Sequence, residues 1–270
     1  MTNAALEVLL RRDRVVVGVV LALVIALSWA YVLWLAANME MPATDMSGMD
    51  MGLGRIEAMA APALERWTLT DSGFMALMWV VMMVGMMTPS AAPMILLYAR
   101  VGRRAASEGR PFAATGWFAG GYLLAWTSFA LLATAAQWAL EQAALVTPAM
   151  VGAANVFGGS VLIAAGLYQW TPLKNACLSQ CQAPLLFIQR HGGFRRDPAG
   201  SLKLGAEHGL YCIGCCWALM AILFVVGVMN VLWIAAISVF VLLEKIVPGG
   251  NKLARVAGAA LIAGGIWTLL

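Results

Sequence analysis

Residues 207–217 read Glu207-His208-Gly209-Leu210-Tyr211-Cys212-Ile213-Gly214-Cys215-Cys216-Trp217, and they begin an apolar run that ends near Met229. In a helix, His208, Cys212 and the pair Cys215-Cys216 follow one another at i, i+4 and i+7 or i+8, so they line one stripe. Such a stripe is typical of a soft-metal site. The alternative is that the cysteines are small buried hydrophobes and that the histidine pairs locally. The chain has only five Cys and two His, so their clustering favours the metal site.

Composition places this stretch in a membrane. Hydrophobic residues make up 62% of the 270 residues and charged residues 11%, which is too apolar for one water-soluble core. Runs long enough to cross a bilayer recur along the whole chain. The predicted fold is therefore an all-α, polytopic transmembrane bundle of about seven helices, at 15–37, 72–98, 112–140, 150–170, 203–229, 231–247 and 253–270.

The basic residues predict the orientation of this bundle. All but Arg55 and Arg66 of the 17 Lys and Arg fall on the same side as the N-terminus, and such an excess marks the cytoplasmic side. The N-terminus is thus expected inside and the C-terminus outside. The net charge of +4 reflects this topology, so no nucleic-acid partner is expected, and no nucleotide-binding loop is present in the sequence.

The chain divides into three predicted parts. A basic segment and the first transmembrane helix occupy 1–37, and an external Met-rich loop follows at 38–71. Residues 72–270 form a six-helix metal-binding membrane domain, which includes a cytoplasmic cysteine-containing loop at 175–203. Glycine pairs typical of close helix packing occur in three of the predicted helices; they are Gly120-Gly121, Gly158-Gly159 and Gly264-Gly265.

Two signals define the second helix of the chain. Asp71 or Ser72 is placed to cap its beginning. Pro89 and Pro93 are expected to kink or open its cytoplasmic half, because a proline removes a backbone donor from the helix interior.

All five cysteines fall toward the cytoplasm in this topology. The cytosol keeps thiols reduced, so metal binding or redox chemistry is expected of them in place of structural disulfides. Cys177 and Cys181 share one face if a helix continues past Pro172, and they are candidates for a second site or an exit site.

Methionine distribution indicates which metal is bound. Thiolates and thioethers favour Cu(I), whereas Zn(II) is usually held by Cys and His, so copper is expected and zinc is the alternative. The candidate thioether ligands of the external loop are Met39, Met41, Met46, Met49 and Met51, and those of the second helix are Met82, Met83, Met86 and Met87. The competing interpretations are a solvated loop of unusual composition and a helix in which Met only fills the core.

Glu244 is a further candidate ligand near the cytoplasmic end of the sixth helix. Placing a carboxylate in a membrane span costs free energy, so such a residue usually has a function or an ion-pair partner. It lies close enough to the helix end to reach the interface together with Lys245 instead.

Several strings of the chain resemble one bacterial family, the predicted metal-binding integral membrane proteins of unknown function that are sometimes labelled copper chaperones. These strings are Met86-Met87-Thr88-Pro89-Ser90-Ala91-Ala92-Pro93, Tyr168-Gln169-Trp170-Thr171-Pro172-Leu173-Lys174 with Cys177 and Cys181, His208 to Trp217, Met229-Asn230, and Glu244-Lys245-Ile246-Val247-Pro248. The resemblance runs from about Trp67 to the C-terminus. It implies metal binding in a multi-pass protein of the bacterial inner membrane.

The leading hypothesis is a copper transporter or membrane copper chaperone. Its expected partners are the lipid bilayer, the metal ion and another copper-handling or copper-requiring membrane protein. His208, Cys212, Cys215 and Cys216 would hold Cu(I). One alternative is a membrane thiol-disulfide oxidoreductase using Cys212/Cys215 and Cys177/Cys181. Another is a helical bundle with a purely structural metal clip.

Overall fold

A computed structural model describes residues 3–39, 67–109, 113–146 and 155–270. These ranges are helical and contain no strand, which confirms the all-α prediction for the part of the chain that they cover. The helices are α1 (Asn3–Met39), α2 (Leu69–Ser107), α3 (Thr115–Gln142), α4 (Asn155–Tyr168), α5 (Pro172–Gln182), α6 (Pro184–Arg190), α7 (Pro198–Ala221), α8 (Leu223–Val226), α9 (Val231–Ile246) and α10 (Gly250–Leu269).

Five stretches of these helices are long and apolar enough to span a membrane. They are Val15–Asn38, Leu69–Ala106, Thr115–Gln142, Pro198–Val226 and Gly250–Leu269. The predicted fourth and sixth spans correspond to α4 and α9, which have 14 and 16 residues. A helix needs about 20 residues to cross the hydrocarbon core. The count of seven spans therefore stays a prediction, as does the orientation of the two termini.

Most of the predicted external loop lies outside the described residues. This applies to Met41, Met46, Met49 and Met51, whereas Met39 is the last residue of α1. The loop ends in a capping box in which the Thr68 hydroxyl accepts from the Asp71 backbone N–H and the Asp71 carboxylate accepts from the Thr68 N–H. Thr68 is thus the N-cap of α2, and Asp71 is its partner at the third helical position.

Helix α2 runs unbroken through Pro89 and Pro93. Side chains supply donors to carbonyls in the turn around Pro89. Ser238 donates to the Met86 carbonyl at 3.0 Å, and Tyr122 donates to the Met87 carbonyl at 3.1 Å. These bonds add side-chain donors to a turn that lacks the N–H which a residue other than proline at position 89 would donate to the Gly85 carbonyl.

The segment 175–203, predicted as a cytoplasmic loop, is mostly helical. Pro172 is the first residue of α5, and the Thr171 hydroxyl caps this helix by accepting from the Lys174 N–H. Pro184 begins α6 in the same way. Proline suits the first helical turn because its fixed φ is already helical and no donor is needed there. The proline that comes after α4 therefore begins a new helix, and Cys177 and Cys181 are one turn apart on it.

Helices α3 and α7 are held close by glycines at their contact. A Cβ at Gly121 would overlap the Leu202 carbonyl of α7, and a Cβ at Gly205 would overlap the Phe118 carbonyl of α3. Helices α4 and α10 meet similarly, since a Cβ at Gly159 would lie 2.8 Å from the Gly265 carbonyl oxygen. One member of each predicted glycine pair thus occupies a close backbone contact.

Candidate metal centre

Helix α7 carries three thiols in the protein interior. Cys212, Cys215 and Cys216 are 0–1% exposed. The Cys215 and Cys216 thiols both lie 3.0 Å from the Cys212 carbonyl oxygen, to which they donate. The α-helical spacing predicted from the sequence is therefore present, and it gathers the three sulfurs along a single turn.

Helix α5 adds a fourth thiol. The Cys181 thiol lies near enough to Cys212 and Cys215 to interact with them electrostatically, and Cys216 interacts in the same way with these two residues. We call Cys181, Cys212, Cys215 and Cys216 the thiol cluster. All are free thiols.

Cys177 lies beside this cluster and not in it. Its sulfur packs against Gly214 of α7, where a Cβ would come within 2.7 Å of it. Burial, and to a lesser extent the nearby Cys215, raises the pKa of the Cys177 thiol. The structure thus separates the predicted pair Cys177/Cys181 into one member that joins the α7 thiols and one that fills the α5–α7 contact.

Helix α2 brings thioethers to the same place. The Met87 sulfur lies 4.0 Å from the Cys216 sulfur. Met82, Met83 and Met86 are buried together with Met87, each 0–1% exposed, so this stretch of α2 faces protein and not lipid. Farther along α2, toward its beginning, the Met75 sulfur accepts from the Gln137 amide at 3.9 Å.

Lys245 is a member of the site that sequence reasoning missed. Its ammonium donates to the Cys212 sulfur at 2.8 Å and to the Ser90 hydroxyl at 2.9 Å. The Tyr122 hydroxyl lies 3.2 Å from the same Cys212 sulfur. The sequence signal was a lysine at the end of an apolar span, which is normally explained by a side chain that extends to the membrane interface.

Glu244 forms an ion pair with Lys174 and not with a residue of the thiol cluster. Both of its carboxylate oxygens accept from Lys174 of α5, at 2.8 and 3.0 Å, in an ion pair that is 0–1% exposed. Lys174 also donates to the Gln169 side chain, and Gln182 donates to the Glu244 backbone carbonyl at 2.8 Å. The carboxylate therefore ties α9 to α5 and does not face the thiols.

His208 lies one turn before Cys212 on α7 and is 3% exposed. Its ring is surrounded by the rings of Phe118, Tyr122 and Phe187, at centroid distances of 6.1, 5.9 and 5.0 Å. Its Nδ1 atom is buried and has no hydrogen-bond partner among the described residues. The imidazole is close to the thiol cluster in sequence and in space, but aromatic rings enclose it.

The thiol cluster is not arranged as a closed metal cage. Across the described ranges, no group of three or more His, Cys, Asp or Glu residues has the geometry to hold a metal ion. The thiols instead donate to a backbone carbonyl and contact one another. The chemistry that these side chains offer is binding by soft sulfur ligands.

The comparisons with known proteins agree with this chemistry. Residues 76–268 match the PpoB2 family model, which is described as copper chaperone. No curated protein and no solved structure gives a significant match. The matched region contains all the helices that contribute to the thiol cluster and its surroundings, from Met82 on α2 to Lys245 on α9.

Proposed function

Because the chain belongs to the copper chaperone family, we propose that it is a membrane-embedded carrier that binds Cu(I) and transfers it across or along the membrane. Its ligands are two or three of the four sulfurs of the thiol cluster, with the Met87 thioether beside them. The observation that carries the proposal is the convergence of these sulfurs from α2, α5 and α7, where Met87 and the three α7 thiols are buried.

The ligand chemistry favours Cu(I) over Zn(II). Thiolate and thioether are soft ligands that suit a soft monovalent ion. The carboxylate nearest in sequence, Glu244, is held by Lys174, and the His208 ring is enclosed by aromatic side chains. The nearest carboxylate is thus engaged elsewhere, and a four-thiolate zinc site would have no use for the Met87 thioether.

The α2 methionines provide a path toward the cluster. Met82, Met83, Met86 and Met87 are spaced at helical intervals and all face the protein interior. Cu(I) binds weakly to each thioether and more strongly to thiolates, so exchange from one sulfur to the next would carry it to Cys216. The external Met-rich segment, with Met39, Met41, Met46, Met49 and Met51, is proposed to collect the ion.

The proposed setting is the bacterial inner membrane. The chain crosses it about seven times, with the N-terminus in the cytoplasm and the C-terminus outside, as the distribution of basic residues indicates. The thiol cluster then lies toward the cytoplasmic side, where thiols stay reduced. A copper-handling or copper-requiring membrane protein is the proposed recipient.

A second candidate is a membrane thiol-disulfide oxidoreductase, favoured by the proximity of Cys181 and Cys212 on different helices. In that reaction the two thiols form one disulfide and pass two electrons and two protons to a membrane quinone. This pair differs from the two pairs expected from the sequence, Cys212/Cys215 and Cys177/Cys181. A structural metal clip between α5 and α7 is the third outcome that the test must separate.

The test is elemental analysis of protein purified anaerobically in detergent with reductant. We expect about one Cu per chain in the wild type, as one soft site requires. The variant Cys212→Ser/Cys215→Ser should lose it, and Cys177→Ser, the matched control, should keep it. Zinc in place of copper would favour the structural clip. A metal-free protein whose Cys181 and Cys212 form a reversible disulfide would favour the oxidoreductase.

A further inference from the structure

The Lys245 ammonium has a fixed place at the edge of the thiol cluster. The side chain is 8% exposed, and its nitrogen is held by Cys212 at 2.8 Å and by Ser90 at 2.9 Å. The Ser90 hydroxyl donates to the Met87 carbonyl at 2.9 Å, so its oxygen is oriented to accept from the lysine. Three helices, α2, α7 and α9, thus fix this charge next to one sulfur.

A buried ammonium needs a negative partner, because an isolated charge in an apolar interior is costly. The adjacent carboxylate, Glu244, does not fill this role, since both of its oxygens accept from Lys174. Lys174 and Glu244 neutralise each other within their own ion pair. The positive charge of Lys245 is therefore balanced by the thiol cluster and by whatever the cluster binds.

We propose that Lys245 is a specificity-determining residue, whose fixed positive charge makes the thiol cluster select a monovalent soft ion. This inference rests on the proposed Cu(I)-binding function. Cu(I) held by two thiolates carries a single negative charge, and the ammonium brings the total to zero. A divalent ion held by two thiolates is already neutral, so the ammonium would leave one uncompensated positive charge in a low-dielectric interior.

A third thiolate would restore neutrality for a divalent ion but leave it three-coordinate, and a fourth thiolate would leave one excess negative charge beside the ammonium. Zn(II) in closed sites is four-coordinate. The ammonium occupies the space beside the Cys212 sulfur, and it has three donors and no lone pair with which to bind a metal. Low-coordinate Cu(I) needs no ligand from that direction. The position of Lys245 therefore disfavours divalent ions by geometry as well as by charge.

The test compares Cu(I) and Zn(II) affinities of the full-length protein in detergent, by competition with a chelator specific for each metal. Lys245→Gln removes the charge and keeps a hydrogen-bond donor. We expect this variant to lower the ratio of Cu(I) to Zn(II) affinity by about tenfold or more. That is the size of effect expected when one unfavourable buried positive charge beside Zn(II) is removed and the protein has already screened part of it. Lys245→Arg keeps the charge and should retain most of the selectivity.

The matched control is Lys174→Gln/Glu244→Gln. It removes the neighbouring buried ion pair without changing the net charge, so it should leave the affinity ratio as in the wild type. If Lys245→Gln does not fold, as judged by gel filtration and thermal melting, Lys245→Met replaces it, because its unbranched apolar chain fills the same space.

The outcomes separate the inference from the function it rests on. A loss of Cu(I) selectivity in the neutral variants alone supports the charge assignment. Equal weakening of both metals, or an unchanged ratio, gives Lys245 a structural role only and overturns the inference while Cu(I) binding by the wild type stands. A wild-type protein that binds no Cu(I) overturns both.

Discussion

The Met87 thioether lies 4.0 Å from the Cys216 thiol, across the contact between α2 and α7. This contact brings one buried methionine of α2 to the thiol cluster, so under the proposed function Met87 is the step between weak and strong sulfur ligands. Met87→Leu should therefore weaken Cu(I) binding by about three- to tenfold, a loss of about 1 kcal/mol. Stability should change by less than about 1.5 kcal/mol, because the two side chains have similar volumes.

Chelator competition measures the affinity of this variant, and thermal melting measures its stability. Met220→Leu is the control, since Met220 is equally buried on α7 and is not among the proposed ligands. If both leucine variants bind Cu(I) like the wild type, the thioether has no part in binding and Met87 is a core residue.

The packing of Cys177 on Gly214 sets the distance between α5 and α7. Gly214→Ala would place a Cβ 2.7 Å from the Cys177 sulfur. We expect destabilisation of about 1–3 kcal/mol, typical of overpacking, together with loss of bound copper as α5 carries Cys181 away from α7. The double variant Gly214→Ala/Cys177→Ala removes the obstructing sulfur and should recover both properties. Copper loss that persists in the double variant would show that the glycine acts in some other way.

The buried ion pair between Lys174 and Glu244 holds α9 on α5. Lys174→Gln alone should destabilise the protein by about 3–5 kcal/mol, because it leaves a buried carboxylate without its charge partner. Lys174→Gln/Glu244→Gln should recover most of this loss. Thermal melting of the three proteins in detergent measures both steps. Equal loss in the single and double variants would mean that packing, and not the unpaired charge, determines the cost.

Alkylation can distinguish the two cysteines of α5. Cys181 lies beside Cys212 and Cys215, whereas Cys177 packs on Gly214. Bound Cu(I) should therefore slow the alkylation of Cys181 by about tenfold or more, since a metal-bound thiolate is not free to react, and it should leave Cys177 nearly unchanged. Mass spectrometry of the labelled peptides gives both rates from one sample. Equal protection of the two residues would place Cys177 among the ligands.

Hydrophobic runs were sufficient to predict the long helices and the burial of the α7 thiols. Local residue preferences also indicated where helices end, but they did not always indicate whether a loop or another helix follows. Pro172 correctly indicated the end of α4 near Tyr168, yet the same residue is the first of α5. A proline signal is compatible with either event, so the sequence could not tell a loop from two short helices.

The partners of the polar residues at the site are determined by tertiary contacts, which no local sequence pattern specifies. Glu244 and Lys245 are adjacent, and the sequence allowed both to extend to the interface. In the structure, Glu244 turns to Lys174 on α5 and Lys245 turns to Cys212 on α7. The choice of Cys181 over Cys177 was likewise decided by which face of α5 meets α7. These outcomes result from helix packing, which periodicity alone does not specify.

X-ray absorption spectroscopy of the copper-loaded protein reports both the oxidation state of copper and the elements bound to it. We expect Cu(I) with sulfur as its only ligand atom and two or three sulfurs bound, as soft low-coordinate sites hold it. Substitution of Cys212 and Cys215 by serine should abolish the spectrum. A nitrogen or oxygen shell, or Cu(II) in reduced protein, would contradict the assignment of the thiol cluster as the binding site.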